Sequence, residues 1–165
     1  PARRGQSVSV ALRLALPDEA HTRAFGQALA QALPAQLVIH LHGELGTGKT
    51  TLARALVQAL QPGTRVKSPT YTLLESYPTP TRLLHHLDLY RISSPLELEA
   101  LGLRDLDGVI LIEWPERGEV AVPAPDLVLA LAVAGTGRTL EARALTPGGA
   151  ETLRGAAAAR PSGSG

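Results

Sequence analysis

Cysteine, methionine and asparagine are absent from the 165 residues of this chain, and aromatic residues make up only 3% of it. Without cysteine there can be no disulfide, no thiolate nucleophile and no cysteine-ligated zinc. With so few aromatics the core must be aliphatic, so an aromatic residue inside a motif carries weight. The chain also lacks any apolar run near the ~18 residues of a membrane span. No basic run is longer than Arg3-Arg4. Neither a membrane segment nor a basic stripe for DNA is therefore expected. The 16 Lys and Arg are nearly balanced by 15 Asp and Glu. No secretory signal pattern opens the chain, and the expectation is a cytoplasmic protein.

What is present is an ordinary globular composition, 44% hydrophobic and 19% charged, sufficient for one domain. Val8, Val10, Leu12 and Leu14 alternate with smaller or polar residues, as in a half-buried strand. Pro17-Asp18-Glu19 starts a helix that Pro34 stops. Residues 36–41 read as a buried strand, and Thr50 to Leu60 as a helix closed by Pro62-Gly63. Tyr71 to Tyr77 and Leu83 to Leu89 read as two strands of a hairpin. Ser93-Ser94-Pro95 opens a short helix ended by Gly102. Val109 to Ile112 is an apolar strand, and Leu127 to Val133 and Arg138 to Ala144 flank the turn Gly135-Thr136-Gly137. The reading is a domain over residues 1–146 and a flexible tail over 147–165, with room in the tail for one short helix over 151–158.

Between the second strand and the second helix lies Gly43-Glu44-Leu45-Gly46-Thr47-Gly48-Lys49-Thr50. Its fixed positions, G-x4-G-K-T, arise by chance in about one of 200 chains of this length, and the flanking strand and helix make chance rarer still. Glycines let backbone N–H groups approach phosphate oxygens, and the helix that follows adds its positive end. Lys49 is placed to reach the β and γ phosphates of a nucleotide, and the Thr50 hydroxyl to ligate Mg²⁺. A magnesium nucleotide also needs a carboxylate at the end of a neighbouring strand. Glu113 ends the apolar run Val109-Ile110-Leu111-Ile112. Asp88 lies in His85-His86-Leu87-Asp88-Leu89-Tyr90-Arg91, where it could instead pair with Arg91. Both are candidates for the metal, and their order is left open.

Lys67-Ser68-Pro69-Thr70-Tyr71-Thr72 reads equally as a segment that senses the γ-phosphate through Thr70 and as a strand entry shaped by Pro69. Trp114, the sole tryptophan, either lines the site or fills the core. His85 and His86 fall on opposite faces of a strand, which argues against a two-histidine metal site.

Guanine specificity in GTPases comes from Asn-Lys-x-Asp, and a chain without asparagine cannot carry it. Asp105-Leu106-Asp107-Gly108 matches D-x-x-G but follows no buried strand. A free-standing small-molecule kinase is the main competitor, although no Arg-bearing lid is evident. A third class is a slow ATPase that acts as a nucleotide-dependent switch on a partner.

In order along the chain, Gly43 to Thr51, Lys67-Ser68-Pro69-Thr70-Tyr71-Thr72-Leu73, His86-Leu87-Asp88-Leu89-Tyr90-Arg91 and Ile112-Glu113-Trp114-Pro115-Glu116 resemble the TsaE (YjeE) family. This is the bacterial ATPase subunit of tRNA threonylcarbamoyladenosine biosynthesis. The resemblance spans about residues 8–145. It implies an α/β fold, a P-loop NTPase-like three-layer sandwich whose mostly parallel central sheet carries antiparallel additions. It also implies ATP and Mg²⁺ as cofactors, slow hydrolysis, and action with the TsaB–TsaD pair, so that tRNA is served indirectly. By position, Gly46, Thr47, Gly48, Lys49, Thr50 and Thr51 would hold phosphates, and Thr50 and Glu113 would hold Mg²⁺. Asp88 would support hydrolysis, Thr70 and Trp114 would lie near the nucleotide or partner face, and Glu19 and Gly137 near the adenosine end.

Overall fold

The computed structural model describes residues 10–159. Strands β1 (Val10–Leu16), β2 (Leu37–His42), β3 (Leu74–Pro78), β4 (Leu83–Asp88), β5 (Val109–Glu113), β6 (Leu127–Ala134) and β7 (Gly137–Ala144) form one sheet. Its order is β1-β7-β6-β2-β5-β4-β3. The middle strands β6, β2, β5 and β4 are parallel, and the edges are antiparallel. This is the mostly parallel sheet with antiparallel additions that the family resemblance implies. Strands β2 and β5 lie in the middle of the sheet, and β5 is buried along its whole length. Strands covered on both faces read as continuous apolar runs, as Val109 to Ile112 does.

Helix α1 (Glu19–Ala32) begins where the Asp18 carboxylate accepts the His21 amide at 3.0 Å, and Glu19 pairs with Arg23 at 2.8 Å one turn on. Acids at this end oppose the helix dipole. Helices α1, α2 (Lys49–Leu60) and α4 (Pro147–Ala158) cover one face of the sheet. There Phe25, Leu29, Leu52 and Leu56 close over Ile39, Leu41, Leu111 and Leu129. The other face has a thinner cover: the four-residue α3 (Leu96–Glu99) and 3-10 segments at Leu103–Asp105 and Pro115–Ala121. Leu98, Leu103 and Val122 close there over Leu87, Ile110 and Ile112. Together these make three layers.

Val8 lies outside the described residues, and β1 is described from Val10. Two expectations change. The strand expected from Tyr71 starts only at Leu74, because residues 69–72 turn on a Leu73 amide to Pro69 carbonyl bond and Leu73 itself sits at φ 65°. The segment from Pro147, read as a flexible tail with room for a short helix over 151–158, carries the longer α4 from Pro147 to Ala158. The Thr146 hydroxyl caps it by accepting the Gly149 amide at 3.1 Å, and Ala150, Leu153 and Ala156 are buried on one face. Residues 160–165 lie outside the described residues. Small residues let α4 lie close to α1: a Cβ on Gly155 would come within 2.9 Å of the Ala32 Cβ. Leu153→Ala should therefore destabilise the fold by about 2–4 kcal/mol. An unchanged melting temperature would show that α4 is not part of the core.

Candidate functional site

The glycine-rich loop leaves the C-terminal end of β2 and feeds directly into α2. Gly48, the residue before the helix, has φ 99°, a conformation that a side chain disfavours. At Gly43 a Cβ would meet the Thr47 hydroxyl at 2.6 Å and the Leu131 carbonyl at 2.7 Å, so a larger residue does not fit. Lys49 opens the helix and is buried. Its ammonium donates to the carbonyls of Gly43 and Glu44, the second at 3.1 Å. It also lies 4.4 Å from the Trp114 ring centre. Burial pushes the Lys49 pKa below its ordinary value, and the nearby Glu113, Asp88, Glu116 and Glu44 push it partly back. This is a cation partly stripped of water and available to an anionic ligand.

The loop forms one wall of an open cavity of ≈ 850 Å³. Gly46, Thr47, Gly48, Lys49, Thr50 and Thr51 line it. The ends of β4 and β5 bring Asp88 and Glu113 to the opposite wall, with Thr70 beside Asp88. Asp88 pairs with Glu113 in the β4–β5 register, and both lie on the face covered by α2. The predicted alternative, an Asp88–Arg91 ion pair, is not formed among the described residues. Instead Asp88 Oδ2 accepts the Thr70 hydroxyl at 3.0 Å and Oδ1 accepts the Tyr90 amide at 3.0 Å. Arg91 lies 4.7 Å over the Tyr71 ring. Of the two readings for Thr70, its place in the cavity favours the site.

Trp114 follows Glu113 at φ 55° and ψ 48°, a left-handed conformation unusual for a bulky residue. The turn carries its indole over Lys49, with Tyr90 packed against it at 5.0 Å. So Trp114 lines the cavity. The D-x-x-G segment lies at the other, N-terminal end of β5 and lines no part of this cavity.

The far wall comes from the antiparallel edge. Leu16 of β1 pairs with Arg138 of β7, so Glu19 at the start of α1 and Gly137 border the same cavity. Arg138 was not a sequence candidate. Its guanidinium donates to the carbonyls of Gly46 at 2.9 Å, Thr47 at 3.2 Å and Gly137 at 2.8 Å. It thereby ties the hairpin to the glycine-rich loop. In a trans peptide the N–H opposes the carbonyl, so holding the Thr47 carbonyl turns the Gly48 N–H the other way. His86 was also missed as a site residue. Its Nε2 donates to Glu113 Oε2 at 2.7 Å, with both side chains buried. A histidine inside the apolar run Leu83 to Leu89 was the available signal. His85 points to the other face, bonding the Ser76 hydroxyl and the Asp107 carbonyl.

Among the described residues no three His, Cys, Asp or Glu side chains form a metal-holding group. The hard oxygens of Thr50, Asp88 and Glu113 nevertheless share the cavity with the loop. Such a set fits Mg²⁺, which keeps several waters and takes one or two protein oxygens beside those of phosphate. No described helix is long and apolar enough to cross a membrane.

Comparison with known proteins agrees with this architecture. The family model described as threonylcarbamoyl adenosine biosynthesis protein TsaE matches residues 16–143. The tRNA threonylcarbamoyladenosine biosynthesis protein TsaE of Haemophilus influenzae is 38% identical over 139 residues, covering 79% of this chain and 88% of its own. The protein of the same name from Synechocystis is 41% identical over 109 residues, 62% of this chain and 69% of its own. Bacillus subtilis YdiB superposes with a TM-score of 0.74 at 23% identity, over 93% of this chain and 97% of its own, which establishes likeness of fold. The chain belongs to the TsaE family of tRNA threonylcarbamoyladenosine biosynthesis.

Proposed function

We propose that this chain binds Mg–ATP in the loop cavity and hydrolyses it slowly, as the ATPase subunit that supports the TsaB–TsaD pair in threonylcarbamoyladenosine modification of tRNAs reading ANN codons. The observation that carries the reading is the convergence of a glycine-rich loop, a desolvated lysine and two strand-end carboxylates on one cavity.

In this reading the backbone N–H groups of Gly46 to Thr51 and the start of α2 receive the phosphates. Lys49 exchanges its carbonyl contacts for the β and γ oxygens. Thr50 and Glu113 hold Mg²⁺, whose role when bound is to neutralise charge developing on the phosphates. Asp88, fixed by the Tyr90 amide and coupled to Thr70, orients the attacking water. Glu19 and Gly137 border the adenosine end, while Arg138 keeps the loop in shape. Arg138 is committed to loop carbonyls, so it is not free to act as an arginine finger. A partner that supplied such a group would raise turnover, because an arginine finger contributes about 10³–10⁵-fold.

The test is co-purification with the TsaB–TsaD pair, with and without ATP, together with turnover in each state. ATP-dependent association and faster turnover in the assembly are expected. Equal turnover alone and in the assembly would remove the partner-completed site. Phosphorylation of a small metabolite by the chain alone would establish the kinase instead.

A further inference from the structure

Nucleotide binding and hydrolysis as proposed leave the histidine beneath Glu113 without a role. His86 is 1% exposed, and Nε2 makes its only side-chain hydrogen bond among the described residues, to Glu113 Oε2. Nδ1 is buried with no hydrogen-bond partner among the described residues. A buried polar atom without a partner costs free energy, and an aliphatic side chain at this point of β4 would avoid that cost. Leu84, two residues earlier on the same face, is aliphatic and packs into the main core. The imidazole therefore occupies a core position for the sake of one bond.

The register explains where that bond falls. His86 pairs with Leu111, and Asp88 with Glu113, across parallel β4 and β5. His86 thus reaches Glu113 along the strand diagonal, from the interior end of the cavity. An ionised carboxylate only accepts hydrogen bonds, so the ring presents Nε2–H to it. Oε2 is taken by His86, leaving Oε1 for the cavity. By contrast, both oxygens of Asp88 already accept hydrogen bonds.

Resting on the Mg–ATP reading above, we infer that His86 is a positioning residue that holds the Glu113 carboxylate by one oxygen so that the other is presented to the cation. Partners of ligating carboxylates act by fixing orientation, and their loss typically lowers metal affinity about 10- to 100-fold.

The experiment measures binding of a non-hydrolysable ATP analogue to the whole chain through Trp114 fluorescence, in EDTA and across a Mg²⁺ titration. His86→Leu removes the donor, and His86→Gln keeps an amide N–H near the Nε2 position. His86→Leu is expected to bind the analogue normally in EDTA but to need about 10- to 100-fold more Mg²⁺, with His86→Gln close to the parent. An unchanged Mg²⁺ requirement in His86→Leu overturns the inference. So does an equal loss in His86→Leu and His86→Gln, or a loss of affinity equal with and without Mg²⁺, since each marks a purely structural role. If His86→Leu does not fold, His86→Asn replaces it, because its amide is too short to reach Glu113. Equal Mg²⁺ requirements for the Asn and Gln variants would then overturn the inference. A parent chain showing no Mg²⁺-dependent response would instead defeat the Mg–ATP reading, and this inference with it.

Discussion

Lys49→Met is expected to weaken ATP binding by about 30- to 150-fold, the equivalent of roughly 2–3 kcal/mol for a charge-assisted contact made away from bulk water. Methionine keeps an apolar stem beneath Trp114 and removes only the ammonium, so the loss reports the phosphate contact and not a packing defect. The effect on the fold itself should be small. Burial holds the Lys49 pKa below its unfolded value, so the folded state disfavours the charged form. That penalty is fully present below the folded pKa, fades as pH rises from the folded to the unfolded pKa, and is gone above the unfolded one. At neutral pH relief of that penalty is set against the lost bonds to the Gly43 and Glu44 carbonyls, so the Met variant should melt within a few degrees of the parent. Calorimetric titration with Mg–ATP and thermal denaturation together check both halves. Unchanged nucleotide affinity would remove the glycine-rich loop from the site.

The second large effect separates the two acids. Glu113→Gln is expected to raise the Mg²⁺ requirement about 100-fold, the upper end for groups tied to a metal carboxylate. Asp88→Asn should leave that requirement nearly intact and lower turnover by about 10²-fold, as for loss of a group that orients or deprotonates the nucleophile. The asymmetry follows from hydrogen bonding. Among the described residues Asp88 gives one oxygen to Thr70 and the other to the Tyr90 amide, whereas Glu113 gives only Oε2, to His86. Mg²⁺ titrations of nucleotide binding and single-turnover hydrolysis distinguish the two outcomes. A larger Mg²⁺ defect in Asp88→Asn would reverse the roles.

Much of this site was legible because its parts are local. The loop from Gly43 to Thr50 is contiguous, and the conformation at Gly48 depends on that glycine itself. Glu113 and Asp88 could be picked out because an acid that ends an apolar run is conspicuous. Helix α1 was readable from Pro17-Asp18-Glu19, where capping and dipole effects act within one turn. The Tyr71 strand was misplaced because β propensity in 71–73 lost to a turn held by the Pro69 carbonyl. Helix α4 was obscured because alanines and glycines give almost no amphipathic contrast. Its helix is selected by a close fit against Ala32 and its neighbours on α1.

The glycine-rich loop, the alternation of strands and helices around it, and the two acids could be read from the chain alone, because each arises from residues within a few positions of one another. Which distant residues complete the cavity depends on how the strands pair. The β1–β7 register sets Leu16 against Arg138, which brings Glu19, Gly137 and Arg138 to the loop. The β4–β5 register places His86 behind Glu113 and leaves Asp88 beside it. Strand order and register follow from burying both faces of one sheet at once, a condition on the whole chain that no short segment expresses.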